Sequence, residues 1–477
     1  MENDIYVTPL SGRYASKEMN KLWSNNTKYS TWRKLWVALA ETEKELGLNI
    51  TQEQIDEMKA NVSNIDYDVV SQRERECRHD VMAHVYEFGT KCPNAKPIIH
   101  LGATSCYVTD NTDIIIMREA LGLIKQKLIV VINNLKTFAD AYKGIPCLGY
   151  THFQPAQLTT VGKRATLWLQ DLLEDLTELE FVEKNLKLLG CKGTTGTSES
   201  FMKLFKDEEK VKQIDTKIAQ KMGFQKTFAV SGQTYTRKVD SRVLNCLAGI
   251  AESASKFAND MRLLQHEKEL EEPFETKQIG SSAMAYKRNP MRSERINSLS
   301  RHVITLSTDT KITTATQWLE RTLDDSANKR ICVPESFLAV DGILKIYANI
   351  TSGIVVYENR IRANIMEELP FMGTEEILMN AVLKGGDRQE LHEKIRVYSM
   401  EAAKQVKEYG KPNDLVSRIA GDASFGLTEE EIINILKPEH LCGRAKNQVT
   451  DFIEQDVNPI TEKYKNLLEN VDTHLEV

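Results

Sequence analysis

Apolar positions in the middle of the chain recur at the spacing of long helices. From Met117 they continue through Leu121, Ile124, Leu128, Val131, Leu135 and Phe138. The steps alternate four and three, the period of a coiled-coil seam. Asp110 or Asn111 stands where a cap belongs, and Gly144 followed by Pro146 marks an end. A helix over 112–143 would span about 48 Å at about 1.5 Å per residue. A second run holds Ala165, Trp168, Leu172, Leu176, Leu179, Val182, Leu186 and Leu189, which predicts a helix starting near Pro155 and stopping at Gly190. A third holds Val239, Val243, Leu247, Ile250, Ala254, Phe257, Met261 and Leu264 and ends before Pro273. Segments 291–320 and 327–356 read as two more long helices.

Upstream, Thr31 to Glu45 reads as a helix ending at Gly47, with Trp32, Leu35, Trp36 and Leu39 near one face. Beyond 357, shorter helical patterns are broken by Gly373, Gly385-Gly386, Pro412 and Pro438. Strand alternation is weak throughout. The pattern predicts an all-α chain with an N-terminal helical domain (1–111), a central long-helix bundle (112–356) and a C-terminal helical domain (357–477). Apolar residues outside one stripe, such as Ile114, Ile115 and Ile116, need neighbours on more than one side. That predicts assembly from several chains.

Composition narrows the reading. Proline is 12 and glycine 24 of 477 residues, below the usual shares of about 5% and 7%, as long helices require. The formal charge of −6 argues against overall electrostatic attraction to nucleic acid. The start, MENDIYVTPL, has no basic stretch followed by an apolar one. No apolar run approaches the roughly 20 residues of a membrane span. Eight cysteines are scattered without a C-x-x-C pair, which disfavours zinc and a disulfide framework and predicts a reducing compartment, the cytoplasm.

Polar breaks between the helical runs concentrate the chemistry. Gly149-Tyr-Thr-His-Phe-Gln-Pro-Ala-Gln157 places His152 on a tight connection just before a predicted helix. Gly280-Ser-Ser-Ala-Met-Ala-Tyr-Lys-Arg-Asn-Pro290, within a loop over 276–290, combines small residues with Lys287 and Arg288, and Arg292 and Arg295 follow. Small residues permit a mobile loop, while cations and a helix start suit an anion. Arg321-Thr-Leu-Asp-Asp-Ser-Ala-Asn-Lys-Arg330 is the third. Gly190-Cys-Lys-Gly-Thr-Thr-Gly196 lacks the order of a P-loop, and a lone Glu76/His79 pair is too few ligands for a di-iron site.

Those stretches carry a resemblance. GSSAMAYKRNP resembles the signature loop G-S-S-x-M-P-x-K-x-N-P of the fumarase/aspartase superfamily, with Ala285 in place of proline. The motifs Ser11-Gly-Arg-Tyr14, Arg78-His-Asp80, Thr151-His-Phe-Gln-Pro-Ala-Gln157, Lys192-Gly-Thr-Thr-Gly-Thr197, Ser231-Gly-Gln-Thr-Tyr-Thr-Arg-Lys-Val-Asp240 and Arg321 to Asn328 are similar to the adenylosuccinate lyase family of the animal type. Ser198 departs from it where glutamine is expected. The resemblance extends from about residue 9 to about 470. It implies a three-domain fumarase/aspartase-like fold whose central bundles join in a homotetramer, with sites shared between subunits. It implies no metal or organic cofactor, small nucleotide substrates, and no nucleic-acid or membrane partner.

The implied reaction is an anti β-elimination of fumarate from adenylosuccinate, giving AMP, and from the succinylcarboxamide ribotide SAICAR, giving AICAR. By motif match His152 is the acid and Ser281 the base. Histidine titrates near neutrality, whereas serine needs activation. Lys287 and Asn289 are matched to the carbanion's carboxylate, with Lys287 also beside the serine. His79 assists at the phosphate or orients the acid, and Glu294 pairs with a catalytic histidine. The substrate, with roughly four negative charges, is implied to meet Arg13, Tyr14, Arg78, Asp80, Thr104, Ser105, Gln233, Arg295, Arg321, Ser326 and Arg330. Arginine suits such anions because its planar fork makes paired hydrogen bonds. A superfamily lyase for a non-nucleotide substrate would lack this phosphate-reading set. A non-catalytic scaffold protein would lack the acid or the loop residues.

Overall fold

A computed structural model describes residues 4–468 and Leu475. The chain is built around five long helices that alternate in direction. Two ends of this bundle are distinguished below, the near end and the far end. The helices used here are α1 (Asn25–Glu45), α2 (Tyr67–Cys77), α3 (Asp80–Lys91), α4 (Ser105–Ala141), α5 (Val161–Asn185), α6 (Lys238–His266), α7 (Met291–Thr316) and α8 (Asp325–Thr351). Helix α4 starts at the near end and α5 returns to it. Helix α6 leaves it again, α7 comes back, and α8 leaves once more. At the near end Arg237, just before α6, bonds Asp110 of α4 and Asp325 of α8, and Thr314 of α7 donates to the Arg237 carbonyl. At the far end the first turn of α5 packs on the last turn of α4, where the Gly162 N–H donates to the Tyr142 carbonyl. Between α9 (Glu358–Met372) and Lys463 the chain returns to shorter helices.

Most seam residues of the five helices are buried, among them Leu121, Leu128, Leu135, Trp168, Leu172, Leu247, Phe257, Val303 and Tyr347, while Val239 and Leu186 are half-buried. Trp168 meets Phe257 edge-on at 5.0 Å, and Phe257 stacks on Tyr347 at 4.2 Å. Among the described residues no helix is long and apolar enough to cross a membrane.

Several boundaries differ from the sequence reading. Helix α4 begins at Ser105, so Asp110 and Asn111 do not cap it; both are buried within it. Asp110 takes the Arg237 guanidinium, and the Asn111 amide bonds the Gly190 backbone. These long-range partners make interior polar positions affordable. The second helix does not start near Pro155. Residues 146–160 form a hairpin of β1 (Pro146–Thr151) and β2 (Gln154–Thr160), and α5 begins at Val161 with the Thr160 hydroxyl as its cap. It ends at Asn185, after which Leu188 bridges to Thr227. Helix α1 starts earlier than Thr31, at Asn25, capped by the Ser24 hydroxyl. A second short strand pair, β3 (Leu270–Glu271) with β4 (Val355–Val356), closes the far end.

One core residue is out of keeping with its surroundings. Glu43 of α1 is fully buried, and neither carboxyl oxygen has a hydrogen-bond partner. Burial pushes its pKa from 4.5 up to about 8. A folded pKa raised this way gives stability that is whole below pH 4.5 and is lost as pH rises through about 8. The loss is at most about 5 kcal/mol. Glu43→Gln removes the ionisable group, so its urea midpoint relative to the wild-type chain is expected to rise from pH 5 to about pH 8 and then level off. A difference that stays constant over that range would show that burial does not raise the Glu43 pKa.

Candidate active site

Sequence-distant residues converge at the near end. Helix α2 stops at Arg78, which holds a left-handed φ of 55°, and α3 starts at once with His79 as its cap. The His79 Nδ1 accepts from the Met82 N–H at 3.4 Å. That leaves Nε2, 3.3 Å from the Ser105 hydroxyl, as the proton-bearing nitrogen of the neutral ring. Thr104 and Ser105 open α4, whose unpaired N–H groups and dipole favour an anion. Gln233 reaches the same place: its N–H donates to the Glu320 carbonyl at 3.0 Å and its side-chain oxygen accepts from the Cys106 thiol at 3.5 Å. Burial pushes the Cys106 thiol up to about 12, so it stays a neutral donor. Arg321 pairs with Asp325 at 2.7 Å, and Arg330 with Asp80 at 3.0 Å. A narrow cleft is lined by Thr104, Gly190, Lys192, Gly193, Ser231 and Gln233.

Glycines let these loops meet. A Cβ on Gly196 would lie 1.8 Å from the Ser231 carbonyl oxygen, and one on Gly232 would lie 2.5 Å from that of Glu320. Only the missing side chains allow three backbone segments to pack so closely. The glycine-rich stretch near residue 193 is therefore a packing device for the cleft wall.

The other predicted residues lie elsewhere on the chain. Arg295 of α7 stands over the Tyr14 ring at 5.6 Å, and the backbone of Tyr14 packs against Gly342 of α8. Arg13 is exposed beside it. His152 does not sit immediately before a helix; it forms, with Phe153, the exposed tip of the β1–β2 hairpin. Both residues have left-handed φ, 53° and 57°, the signature of a two-residue type I′ turn that normally takes Asn or Gly. Side chains at such φ cost about 1–2 kcal/mol each, and strain of this kind gathers at functional positions.

Ser281 lies in the far-end loop between β3 and α7. Its Oγ accepts from the N–H groups of Ala283 at 3.3 Å and Met284 at 3.1 Å. Donors aimed at this oxygen favour its anionic form. Lys287 extends into solvent on the same loop. The loop is pinched at its neck, where the Asn289 amide donates to the Gly280 carbonyl at 2.7 Å. Its base is fixed by Glu272, which accepts from the Arg292 and Ser293 N–H groups, and by the Arg292 side chain on Pro273 and Glu275. Glu294 is exposed in the first turn of α7, and among the described residues no histidine is within ion-pair reach of it.

Hence the near end gathers His79, Asp80, Thr104, Ser105, Gln233, Arg321, Ser326 and Arg330, while His152 and the Ser281 loop stand at the far end. Helix α4, with 37 residues, separates the two ends by about 55 Å. Sequence reasoning missed Lys28, whose ammonium is disfavoured by burial and faces Asp113, Arg330 and Asp80. Arg237 and Asp325, both inside motifs named above but given no role there, lie under Arg321. Position 28 lies ahead of the helix read from the sequence and carries no local signal.

The neck is open to test. A Cβ on Gly280 would stand 2.1 Å from the Lys287 carbonyl oxygen, so Gly280→Ala is expected to spread the loop. Trypsin should then cut after Lys287 or Arg288 at least about fivefold faster, while the melting temperature stays within about 2 °C because the loop is exposed. Unchanged cleavage would show that the neck does not restrain the loop.

Comparison with known proteins places this arrangement. Residues 6–305 match the family model described as lyase, and residues 370–452 the one described as adenylosuccinate lyase C-terminus. Adenylosuccinate lyase of Saccharomyces cerevisiae is 52% identical over 99% of this chain and 99% of that protein. Those of Schizosaccharomyces pombe and Schistosoma mansoni are 48% and 46% identical, each over 98% of both chains. Among solved structures, 3-carboxy-cis,cis-muconate lactonizing enzyme from Pseudomonas putida superposes with a TM-score of 0.80 at 20% identity, covering 93% of this chain and 98% of that one. Fumarate lyase from Mesorhizobium sp. BNC1 gives 0.79 at 20% identity, covering 94% and 100%. These two show the all-α fumarate lyase fold, and the full-length identities show the branch: the chain belongs to the adenylosuccinate lyase family.

Proposed function

We propose that the chain eliminates fumarate from adenylosuccinate, giving AMP, and from SAICAR, giving AICAR, at sites shared between the subunits of a homotetramer. The observation that carries this reading is the near-end cradle. There an imidazole, two hydroxyls, an amide and two guanidinium groups surround the start of a 37-residue helix, chemistry that suits phosphate and carboxylates. Arg13, Tyr14 and Arg295 add a second cationic set, and Arg78 lies beside His79 at the cradle.

The chemistry divides between two faces of the substrate. The Ser281 oxygen takes the proton from the carbon next to a carboxylate. The electron pair left behind becomes the double bond of fumarate as the C–N bond breaks, and the departing nitrogen takes a proton from His152. Loop donors and Lys287 favour the serine alkoxide and the charge that develops on the carboxylate. Asn289 serves by holding the loop neck. His79, with Nε2–H outward, donates to the phosphate or to the acid. Closure of the loop excludes water and strengthens these contacts.

One chain does not bring its far-end acid and base to its own near-end cradle, because α4 keeps them about 55 Å apart. Antiparallel packing of copies supplies the missing groups. Exposed apolar side chains on the bundle support it: Leu167 and Phe181 on α5, Leu263 on α6, Ile312 on α7 and Ile331 on α8. Packed against another bundle, these would leave water. Eight unpaired cysteines accord with a cytoplasmic location.

Incubation of the purified protein with adenylosuccinate is expected to release AMP and fumarate in equal amounts; no release would refute the assignment. His152→Ala and Ser281→Ala are each expected to lower turnover at least about 100-fold. Wild-type turnover in either would remove that residue from its role. Co-refolding the two inactive variants is expected to recover up to about a quarter of wild-type activity, because some mixed sites receive both intact groups. No recovery would place both groups on one subunit.

A further inference from the structure

Arg321 does not stand alone at the near end. Its Nη1 donates to one oxygen of Asp325 at 2.7 Å, and the other oxygen of Asp325 accepts from Arg237 Nε at 2.5 Å. The Arg237 fork then closes on Asp110, with Nη1 at 2.9 Å and Nη2 at 3.3 Å from its two oxygens. Asp110 also accepts from the Tyr235 N–H at 3.1 Å. Asp110, Arg237 and Asp325 are each no more than 4% exposed, whereas the Arg321 side chain is 22% exposed. The ladder thus has one end that meets solvent, and that end is Arg321. Its base is braced by a second buried set, in which Lys329 lies 3.0 Å from the Tyr235 hydroxyl and 3.2 Å from Asp113, and Tyr235 donates to Asp240 at 2.6 Å.

We propose that Arg237 and Asp325 are positioning residues: the buried relay Asp110–Arg237–Asp325 aims the Arg321 guanidinium at the substrate anion. This rests on the reading of Arg321 as a substrate contact given above. Two features support it. Asp325 divides its charge between two guanidinium groups, so it orients Arg321 without cancelling it, and the outer N–H edge stays available to an anion. The backbone beside Arg321 is pinned as well, because Gly232 packs on Glu320 and the Gln233 N–H donates to the Glu320 carbonyl. The segment Ser231 to Asp240 therefore places Gln233 in the cleft and the Arg237 strut beneath Arg321.

A double-mutant cycle on the purified full-length assembly separates positioning from simple support. With adenylosuccinate as substrate, Asp325→Asn is expected to raise KM about tenfold or more with kcat changed less than about threefold. In an Arg321→Ala background the same change is expected to raise KM no further, since the group it acts through is gone. Arg237→Lys keeps the charge but not the fork. It should show the same pattern more weakly and serves if Asp325→Asn does not assemble on a sizing column. Equal KM effects in both backgrounds, or loss of kcat with KM unmoved, would overturn the relay. If Arg321→Ala alone leaves KM unchanged, the reading of Arg321 as a substrate contact is what fails, and the relay goes with it.

Discussion

A helix of 37 residues cannot bend back on itself, and that rigidity governs the rest of the molecule. Helix α4 carries Thr104 and Ser105 at one end and leads into the His152 hairpin at the other. Helices α5 to α8 run beside it in alternation, so each connection is assigned to one end or the other. Buried seam residues hold the five helices in register and make the separation permanent. The same stiffness keeps the His152 turn and the Ser281 loop away from the near-end residues of one chain and gives each group a firm mount.

At the near end the mount is ionic. Four carboxylates and three cations, of which only Asp113 and Arg321 have appreciably exposed side chains, tie α4, α6 and α8 together. Burying charge is costly unless each partner is satisfied. Asp110 illustrates the balance: burial opposes its ionisation, but Arg237, Lys329 and the Tyr235 N–H outweigh it and its pKa falls. A set this interdependent fixes geometry more than it adds stability. At the far end the mount is backbone: a tight turn with two side chains at left-handed φ, and a loop pinched by an amide and one missing Cβ.

The helical bundle was legible because a heptad repeat is a local signal with a long reach. Met117 to Phe138 repeats so regularly that the helix is evident without any partner. The hairpin was not legible. Pro155 looks like a helix start, and the turn residues His152 and Phe153 are poor turn formers whose φ only the flanking strands impose. Asp110 reads as a cap for a similar reason: its true partner, Arg237, is distant in sequence. The motifs carrying His79, Ser281, Gln233, Arg321 and Arg330 stood out as polar breaks in an apolar rhythm. Lys28 did not stand out, and Asp325, although inside the Arg321 motif, showed no role of its own, since each gains its setting only from packing.

The 55 Å reach of α4 has a consequence for mass action. Where a cradle on one copy must borrow its acid and its base from others, a lone subunit is competent for binding groups but not for turnover. Output per chain then depends on how many chains are near one another, and it falls on dilution faster than the protein itself does. A ligand that bridges the borrowed parts would oppose that fall, so scarcity of protein and abundance of ligand pull the assembly in opposite directions.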